Sequence, residues 1–360
     1  MKPRRQTRIG ERMELDKRVA EIVAKAYAGE AATEEECVYL LGFGEASPEA
    51  FAVRAAAASI VRARTDNTAV IFGQIGVECS PCTADCDFCS FAASTTGFEA
   101  MRLDDEAIVE KIDGFCKDGD LYGLWLMTMH EYDLEYYLHV LKLAREHAPA
   151  ETNIYTNVGD TSYEDFCKMK EAGASGVYHI CRLGEGEHTK LDPEARFQTM
   201  ENARRAGLAI LDAVEPIGPE HTPEQLVEKM FLTKRFRSIQ TGSMKRIAVP
   251  GTPFADKGEI NHFTLSQIVS VQCLALLDME TLPWIGIHEP CEAGYLSGAN
   301  LISAETGVNP RDTAEDTSAS RGLDMDASRR VLFEAGFTHL CKGDGTKVPL
   351  TMEYIEGCNR

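Results

Sequence analysis

The chain has 360 residues, enough for two or three average domains or for one large α/β barrel. Its 37 Lys and Arg face 57 Asp and Glu, and the net charge of −20 excludes a protein that binds by neutralising nucleic-acid phosphates and disfavours an anionic membrane surface. With 44% hydrophobic residues and no apolar run near the ~18 residues of a membrane span, the sequence reads as soluble and globular.

Residues 1–18 form a basic arm without the apolar core of a secretory signal, so a cytoplasmic, reducing location is expected. Segment 2–12 is the part that would dock an acidic partner. Helical spacing follows over 14–27 (Val19, Ile22, Val23, Ala26). Thr33 and Glu36 have the form of a capping box, and Ser47-Pro48 opens a further helix to about Arg64. Residues 1–66 are therefore a helical lead-in.

From Ala69 onward, apolar stretches at 69–75, 123–128, 152–157, 176–181, 209–214, 243–247, 282–287 and 300–304 alternate with amphipathic helices. Continuous apolar runs suit strands buried on both faces, as in a parallel sheet wrapped by helices. Ala172-Gly173, Ala206-Gly207 and Ala335-Gly336 read as helix stops. The expected fold is α/β, a TIM-type (β/α)₈ barrel over 67–337 behind the N-terminal helical extension, with 338–360 as a C-terminal tail.

Twelve cysteines are too sparse for a disulfide scaffold, and four of them crowd together: Cys79-Ser-Pro-Cys82-Thr-Ala-Asp-Cys86-Asp-Phe-Cys89. The segment follows the first strand, at the end where barrel enzymes keep their chemistry. Zinc sites separate their Cys pairs by about 12–20 residues, and the bacterial ferredoxin run needs Cys-x-x-Cys-x-x-Cys; neither fits. What does fit is Cys-x₃-Cys-x-aromatic-Cys over Cys82, Cys86 and Cys89, with Phe88 in the aromatic place. This resembles the signature of radical S-adenosylmethionine (SAM) enzymes. Three thiolates hold three corners of a [4Fe–4S] cube and leave one iron for the amino and carboxylate end of SAM. Cys79 is left over, and its default reading is a packed thiol.

The span 55–337 is similar to the biotin synthase branch of that superfamily, which includes a hydrogenase-maturation enzyme and methylornithine synthase. The landmarks, in order, are the cluster loop, Glu171-Ala-Gly173, Arg204-Arg-Ala-Gly207, Pro216-Ile-Gly-Pro-Glu220, Gly251-Thr-Pro253 and Gly298-Ala-Asn300. The resemblance implies SAM contacts from Thr128, His130 and Glu131, which occupy the family's Gly-Gly-Glu place without its glycines. Asn157 stands where ribose hydroxyls are met, and Arg182, Glu185 and Arg196 where the methionine end is held. His288, Glu289 and Cys291, after the seventh strand, are candidate catalytic groups, and segment 309–313 a candidate for recognising a substrate carboxylate.

The sulfur-donating [2Fe–2S] site of biotin synthase has no counterpart: residues 124–130 lack cysteine, Tyr155 and Leu211-Asp212 occupy two other places, and 284–287 lacks Arg. A second iron–sulfur cluster would have to come from Cys291, Cys341 and Cys358, the last two in polar surroundings, with Cys181 as a further candidate. Such a cluster would favour sulfur insertion, as in biotin or lipoyl synthesis. Its absence favours carbon-skeleton rearrangement or fragmentation. The expected partners are a small-molecule or carrier-bound substrate and a reductant such as flavodoxin or ferredoxin. A non-catalytic iron–sulfur carrier or scaffold is the alternative of another class, and a zinc-binding module comes last.

Overall fold

The computed structural model describes residues 14–307 and 322–358. The basic arm 2–12 and segment 309–313 lie outside the described residues. Three helices open the chain: α1 (Lys17–Tyr27), α2 (Glu34–Leu41) and α3 (Pro48–Arg64). Local chemistry sets their starts. Thr33 and Glu36 form a reciprocal capping box on α2, and Ser47 caps α3 with Pro48 in the first turn.

The strands are β1 (Thr68–Gly76), a short ribbon of β2 (Glu78–Cys79) and β3 (Met101–Arg102), β4 (Gly123–Met127), β5 (Asn153–Asn157), β6 (Gly176–Tyr178), β7 (Ala209–Leu211), β8 (Val214–Ile217), β9 (Gln240–Lys245), β10 (Trp284–His288) and β11 (Leu301–Gly307). In the order β1-β4-β5-β6-β7-β9-β10-β11 the parallel ladder closes on itself, because β11 pairs with β1 from Val70↔Leu301 to Gly76↔Gly307. This is an eight-stranded (β/α)₈ barrel. Between the strands run α4 (Asp105–Cys116), α5 (Leu134–His147), α6 (Tyr163–Glu171), α7 (Pro193–Arg205), α8 (Pro223–Phe236) and α9 (His262–Ala275).

Two strands depart from the sequence expectation. The fifth breaks at Asp212-Ala213, so that β7 and β8 both pair with β9 across a register shift. The sixth begins at Gln240, three positions earlier than predicted, because its polar start Gln-Thr-Gly-Ser is buried and satisfied from α9: Ser243 donates to Gln272 at 2.9 Å, and Gln272 donates to Thr241 at 3.0 Å. Every residue of α9 from Leu265 to Ala275 is buried. A helix buried on all sides needs cover on all sides, and the lead-in supplies part of it: Arg54 on α3 donates to Ser266 at 3.0 Å and lies 4.1 Å over the Phe263 ring.

A four-residue helix α10 (Glu292–Tyr295) sits between β10 and β11, and after the barrel come α11 (Met325–Glu334), an antiparallel hairpin of β12 (His339–Cys341) and β13 (Lys347–Pro349), and α12 (Met352–Cys358). The segment predicted as a tail is thus ordered, and β12 adds to the start of β1 through Thr68↔His339 and Ala69↔Leu340. The hairpin turn reaches the starts of β4 and β5, where Asn153 donates to the Gly343 carbonyl at 3.1 Å. It underlies a plug of side chains inside the barrel: Phe72, Trp125, Tyr155, Tyr178, Leu211 and Leu301, with Cys341 among them. Phe72 stacks on Trp125 at 4.4 Å and on Tyr155 at 5.6 Å between ring centroids. The plug closes the N-terminal end, so the open space lies at the C-terminal ends of the strands.

Candidate active site

A cavity of about 240 Å³ opens at that C-terminal end. Three of the clustered cysteines, Cys82, Cys86 and Cys89, line it together with Phe88. Cys79 does not. It sits on the β2–β3 ribbon, 3% exposed, with its thiol 3.7 Å from the Glu99 carbonyl. Around the three cysteines the surrounding protein disfavours thiolate: desolvation pushes Cys89 up to about 11, Cys86 higher still, and Cys82 in the same direction. A buried thiol surrenders its proton to a cation that replaces solvation with coordination, which is the chemistry of iron rather than of a free nucleophile. The Phe91 N–H points at the Cys89 sulfur from 3.4 Å, a contact that suits a thiolate ligand. The donor set therefore fits a three-thiolate cluster site. Among the described residues no group of three His, Cys, Asp or Glu gathers around a single ion centre; the thiolates of a cube bind different irons and need no common centre.

The cysteine loop is held from two sides. Lys190 lies 2.6 Å from Asp85, and His188 3.2 Å from Asp87. The Phe254 N–H donates to the Asp87 carbonyl at 3.0 Å, and the Phe254 ring packs edge-on to His188. Phe254, directly after the landmark Gly251-Thr-Pro253, thus helps to seat this loop.

Of the residues proposed to hold SAM, Thr128, His130, Asn157, Arg182 and Arg196 line the cavity with Phe88. Glu131 is on the outside, where its carboxylate accepts the Thr83 N–H at 3.4 Å and faces the Cys82 thiol at 3.9 Å. Glu185 lies behind the wall: it accepts the Arg182 N–H at 2.8 Å and the Thr189 hydroxyl at 2.9 Å. Burial opposes the Arg182 charge, yet Glu185 and Glu215 keep it firmly cationic, with its guanidinium 3.5 Å from Glu215. Arg196 is 2.9 Å from Asp160 and donates to the Ile180 carbonyl at 3.0 Å. Burial holds His130 below the usual imidazole range and His179, beside Asp160, down to about 4, so both are neutral near pH 7.

His288 also lines the cavity, with Nε2 2.6 Å from Glu305 and Nδ1 3.7 Å from Glu289. Cys291 is off the cavity and precedes α10 as its N-cap residue. The candidate auxiliary cysteines are not brought together. Cys291 follows the C-terminal end of β10, while Cys341 is 5% exposed within the plug at the opposite end of the barrel. Cys358 is buried on α12, its carbonyl accepting from Lys117. Cys181 meets Lys229 at 3.7 Å and is also away from the cavity wall. The polar turn after Cys341 had suggested exposure; the side chain instead follows strand alternation into the barrel.

Sequence reasoning missed Glu78, Trp125, Tyr178, Glu215 and Gln240, all on the wall. Tyr178 donates to Glu215 at 2.8 Å, and the Thr128 hydroxyl donates to Glu78, which also pairs with Arg102 at 2.8 Å. A carboxylate inside the apolar run 208–217 was the available signal for Glu215.

No protein-family model matches the chain, and no curated protein sequence does. Solved structures do match. The chain is similar to methylornithine synthase (PylB), at 16% identity over 88% of this chain and 96% of that one, with a TM-score of 0.71. It is similar also to the FeFe-hydrogenase maturase HydG from Carboxydothermus hydrogenoformans, at 16% identity over 91% of this chain and 80% of that one, with a TM-score of 0.73. These likenesses establish a shared barrel fold.

Proposed function

We propose that the chain is a radical SAM enzyme of the biotin synthase-like branch acting on a small polar metabolite. The observation that carries this reading is the convergence of Cys82, Cys86 and Cys89, in Cys-x₃-Cys-x-Phe-Cys spacing, on the cavity at the C-terminal face of a closed barrel, with Cys79 turned away. Those three thiolates would hold three irons of a [4Fe–4S] cluster and leave the fourth to the SAM amino and carboxylate groups. When bound, cluster and SAM supply a 5′-deoxyadenosyl radical that takes hydrogen from an unactivated carbon. Arg182 offers a planar fork to a carboxylate, and Glu185 positions it from behind by taking its N–H. Asn157 and Thr128 offer hydrogen bonds at the ends of β5 and β4, and the aromatic plug keeps water from entering below.

Between the reaction types, rearrangement or fragmentation fits better than sulfur insertion. Among the described residues, the barrel interior carries aromatic, amide and carboxylate side chains where a sulfur donor would need cysteines, and Cys291, Cys341 and Cys358 lie at separate places. A flavodoxin or ferredoxin is the expected electron source. The test is anaerobic reconstitution followed by iron counting and assay of 5′-deoxyadenosine from SAM with dithionite. About four irons per chain and formation of 5′-deoxyadenosine are expected. About eight irons would restore the sulfur-insertion reading, and a fully iron-loaded protein that never cleaves SAM would overturn the proposal.

A further inference from the structure

Two buried polar atoms at the floor of the cavity have no partner within the protein. Gln240, 3% exposed, donates its amide Nε2 to the Thr241 carbonyl at 2.8 Å. Only the nitrogen can donate there, so the amide orientation is fixed and the unpartnered Oε1 is an acceptor. Trp125, 6% exposed, carries an indole Nε1–H that is unpartnered as well, and an indole nitrogen only donates. Unpaired buried polar groups are rare in folded proteins, and two of opposite kind on one cavity wall point to a group that binds between them.

Strand register places the two residues at one level of the barrel. Gln240 is the Cα partner of Leu211, and Leu211 of Tyr178, whose ring lies 5.9 Å from that of Trp125. The Tyr178 hydroxyl is itself committed to Glu215 at 2.8 Å. Around this level the packing is apolar and aromatic, with Phe72, Tyr155, Leu211 and Leu301 clustered with Trp125. An ion set here would lose much of its hydration.

The opposite kinds of the two atoms decide the ligand's chemistry, whatever the balance of charges on the rest of the wall. An ammonium donates to Gln240 but has no lone pair for the Trp125 N–H; a carboxylate accepts from Trp125 but has no hydrogen for Gln240. Either ion leaves one buried atom unmatched, and a hydrocarbon end leaves both. Only a group that both donates and accepts completes the pair, and an amide or a hydroxyl does so without a charge.

We infer that the floor of the cavity is a recognition subsite for an uncharged amide or hydroxyl group of the substrate: the group donates to Gln240 Oε1 and accepts the Trp125 Nε1–H. The assignment rests on the proposed function, which it deepens by naming the substrate class, and its binding test does not depend on catalysis.

The test is anaerobic isothermal titration of the reconstituted, SAM-saturated protein with four probes on one hexyl frame: hexanamide, 1-hexanol, n-hexylamine and n-hexanoate. The two neutral probes bind saturably, and each ion binds at least about tenfold more weakly than hexanamide. Trp125→Phe keeps a ring in the plug and removes the donor; it weakens hexanamide by about threefold to tenfold and leaves hexylamine unchanged. Gln240→Leu weakens hexanamide to a similar extent and leaves hexanoate unchanged, a crossed pattern that loosened packing alone does not produce. Should a variant fail to fold, the ranking of the four probes on the parent protein decides. The inference is overturned if hexylamine or hexanoate binds as tightly as hexanamide, if none of the four binds, or if the variants weaken all probes alike. SAM cleavage by a protein without preference among the probes would remove the subsite and leave the enzyme reading; the preference without any 5′-deoxyadenosine formation would do the reverse.

Discussion

Lys190 Nζ lies 2.6 Å from Asp85 Oδ2, joining the loop after β6 to the residue immediately before Cys86. The link is repeated along the seam, where the Lys190 N–H donates to the Ala84 carbonyl at 2.8 Å and the Asp87 N–H to the His188 carbonyl at 2.9 Å. With the His188–Asp87 contact at 3.2 Å, three of the four contacts at this seam are independent of the Lys190 side chain, which is 70% exposed. An ion pair that exposed is worth less than about 1 kcal/mol to overall stability. Its effect falls on the cysteine loop. The double variant Lys190→Ala/His188→Ala is expected to unfold within a few degrees of the parent, by about the amount one or two weak surface contacts allow, while losing iron to a chelator several times faster. Equal rates of iron loss in parent and variant would remove the loop-seating role.

Cys79 and its three neighbours in sequence separate by orientation. Cys79→Ala is expected to keep about four irons per chain and to form 5′-deoxyadenosine, because its thiol faces the Glu99 carbonyl and the residue is off the cavity wall. Ala at Cys82, Cys86 or Cys89 abolishes both. The pair Cys341→Ala/Cys358→Ala leaves the iron count unchanged and costs about 1–3 kcal/mol of stability, since Cys341 fills part of the plug. Iron analysis and urea unfolding of the same preparations check all three statements, and loss of about half the iron in the Cys341/Cys358 pair would contradict the placement argument.

The barrel was legible because its strands are buried on both faces, which leaves uninterrupted apolar runs; all eight predicted stretches overlap a barrel strand. The capping residues Thr33 and Ser47 were legible for a different reason, since a cap is a local bond between near neighbours. The spacing of Cys82, Cys86 and Cys89 singles out the three clustered cysteines that line the cavity. What was not legible is the inward face. In a strand buried on both sides, Trp125, Tyr155 and Tyr178 give no sign of which side faces the axis, and the plug emerges only when the strands close. Polar strand starts were missed for the same reason: Gln240 and Thr241 look like loop until Gln272 and Thr233 arrive from helices remote in sequence. Cys341 was misjudged because its own neighbours are polar while its strand is not exposed.

Asp212, at the break between β7 and β8, is fully enclosed and accepts from Ser238 at 2.7 Å and Thr233 at 3.0 Å. Burial outweighs these bonds and raises its carboxyl to about 6. The folded state thus holds the proton more tightly than the unfolded chain, where the carboxyl has its ordinary value near 3.8. The proton-linked stabilisation is fully present below the unfolded value, about 3 kcal/mol, falls to about half by pH 5, and is gone once the pH has risen past the folded value. Asp212→Asn cannot titrate. The difference in unfolding free energy between parent and Asp212→Asn should therefore move against the parent by about 1–2 kcal/mol from pH 5 to pH 8. A difference that stays flat over that range would show that the hydrogen bonds keep the carboxylate ionised.

Arg329 on α11 holds Asp120 in a two-pronged ion pair at 2.7 and 2.8 Å, and both side chains are closed off from solvent. Tyr354 of α12 donates to the same carboxylate at 3.0 Å, and Asp118 takes a further guanidinium contact at 2.8 Å. The pair thereby pins both helices that flank the β12–β13 hairpin to the loop ahead of β4. Arg329→Ala leaves Asp120 buried without a cation and should cost about 3–5 kcal/mol, whereas the double change Asp120→Leu/Arg329→Met, which removes both charges, should recover most of that loss. Urea unfolding of the two variants measures this. The consequence for the barrel follows from position: the hairpin supports the plug beneath the cavity, so Arg329→Ala should also speed amide hydrogen exchange in β1 and β4 while leaving the iron count near four. A single variant as stable as the parent would mean that water, not protein, solvates Asp120. A destabilised variant with unchanged exchange in those two strands would uncouple the hairpin from the floor of the cavity.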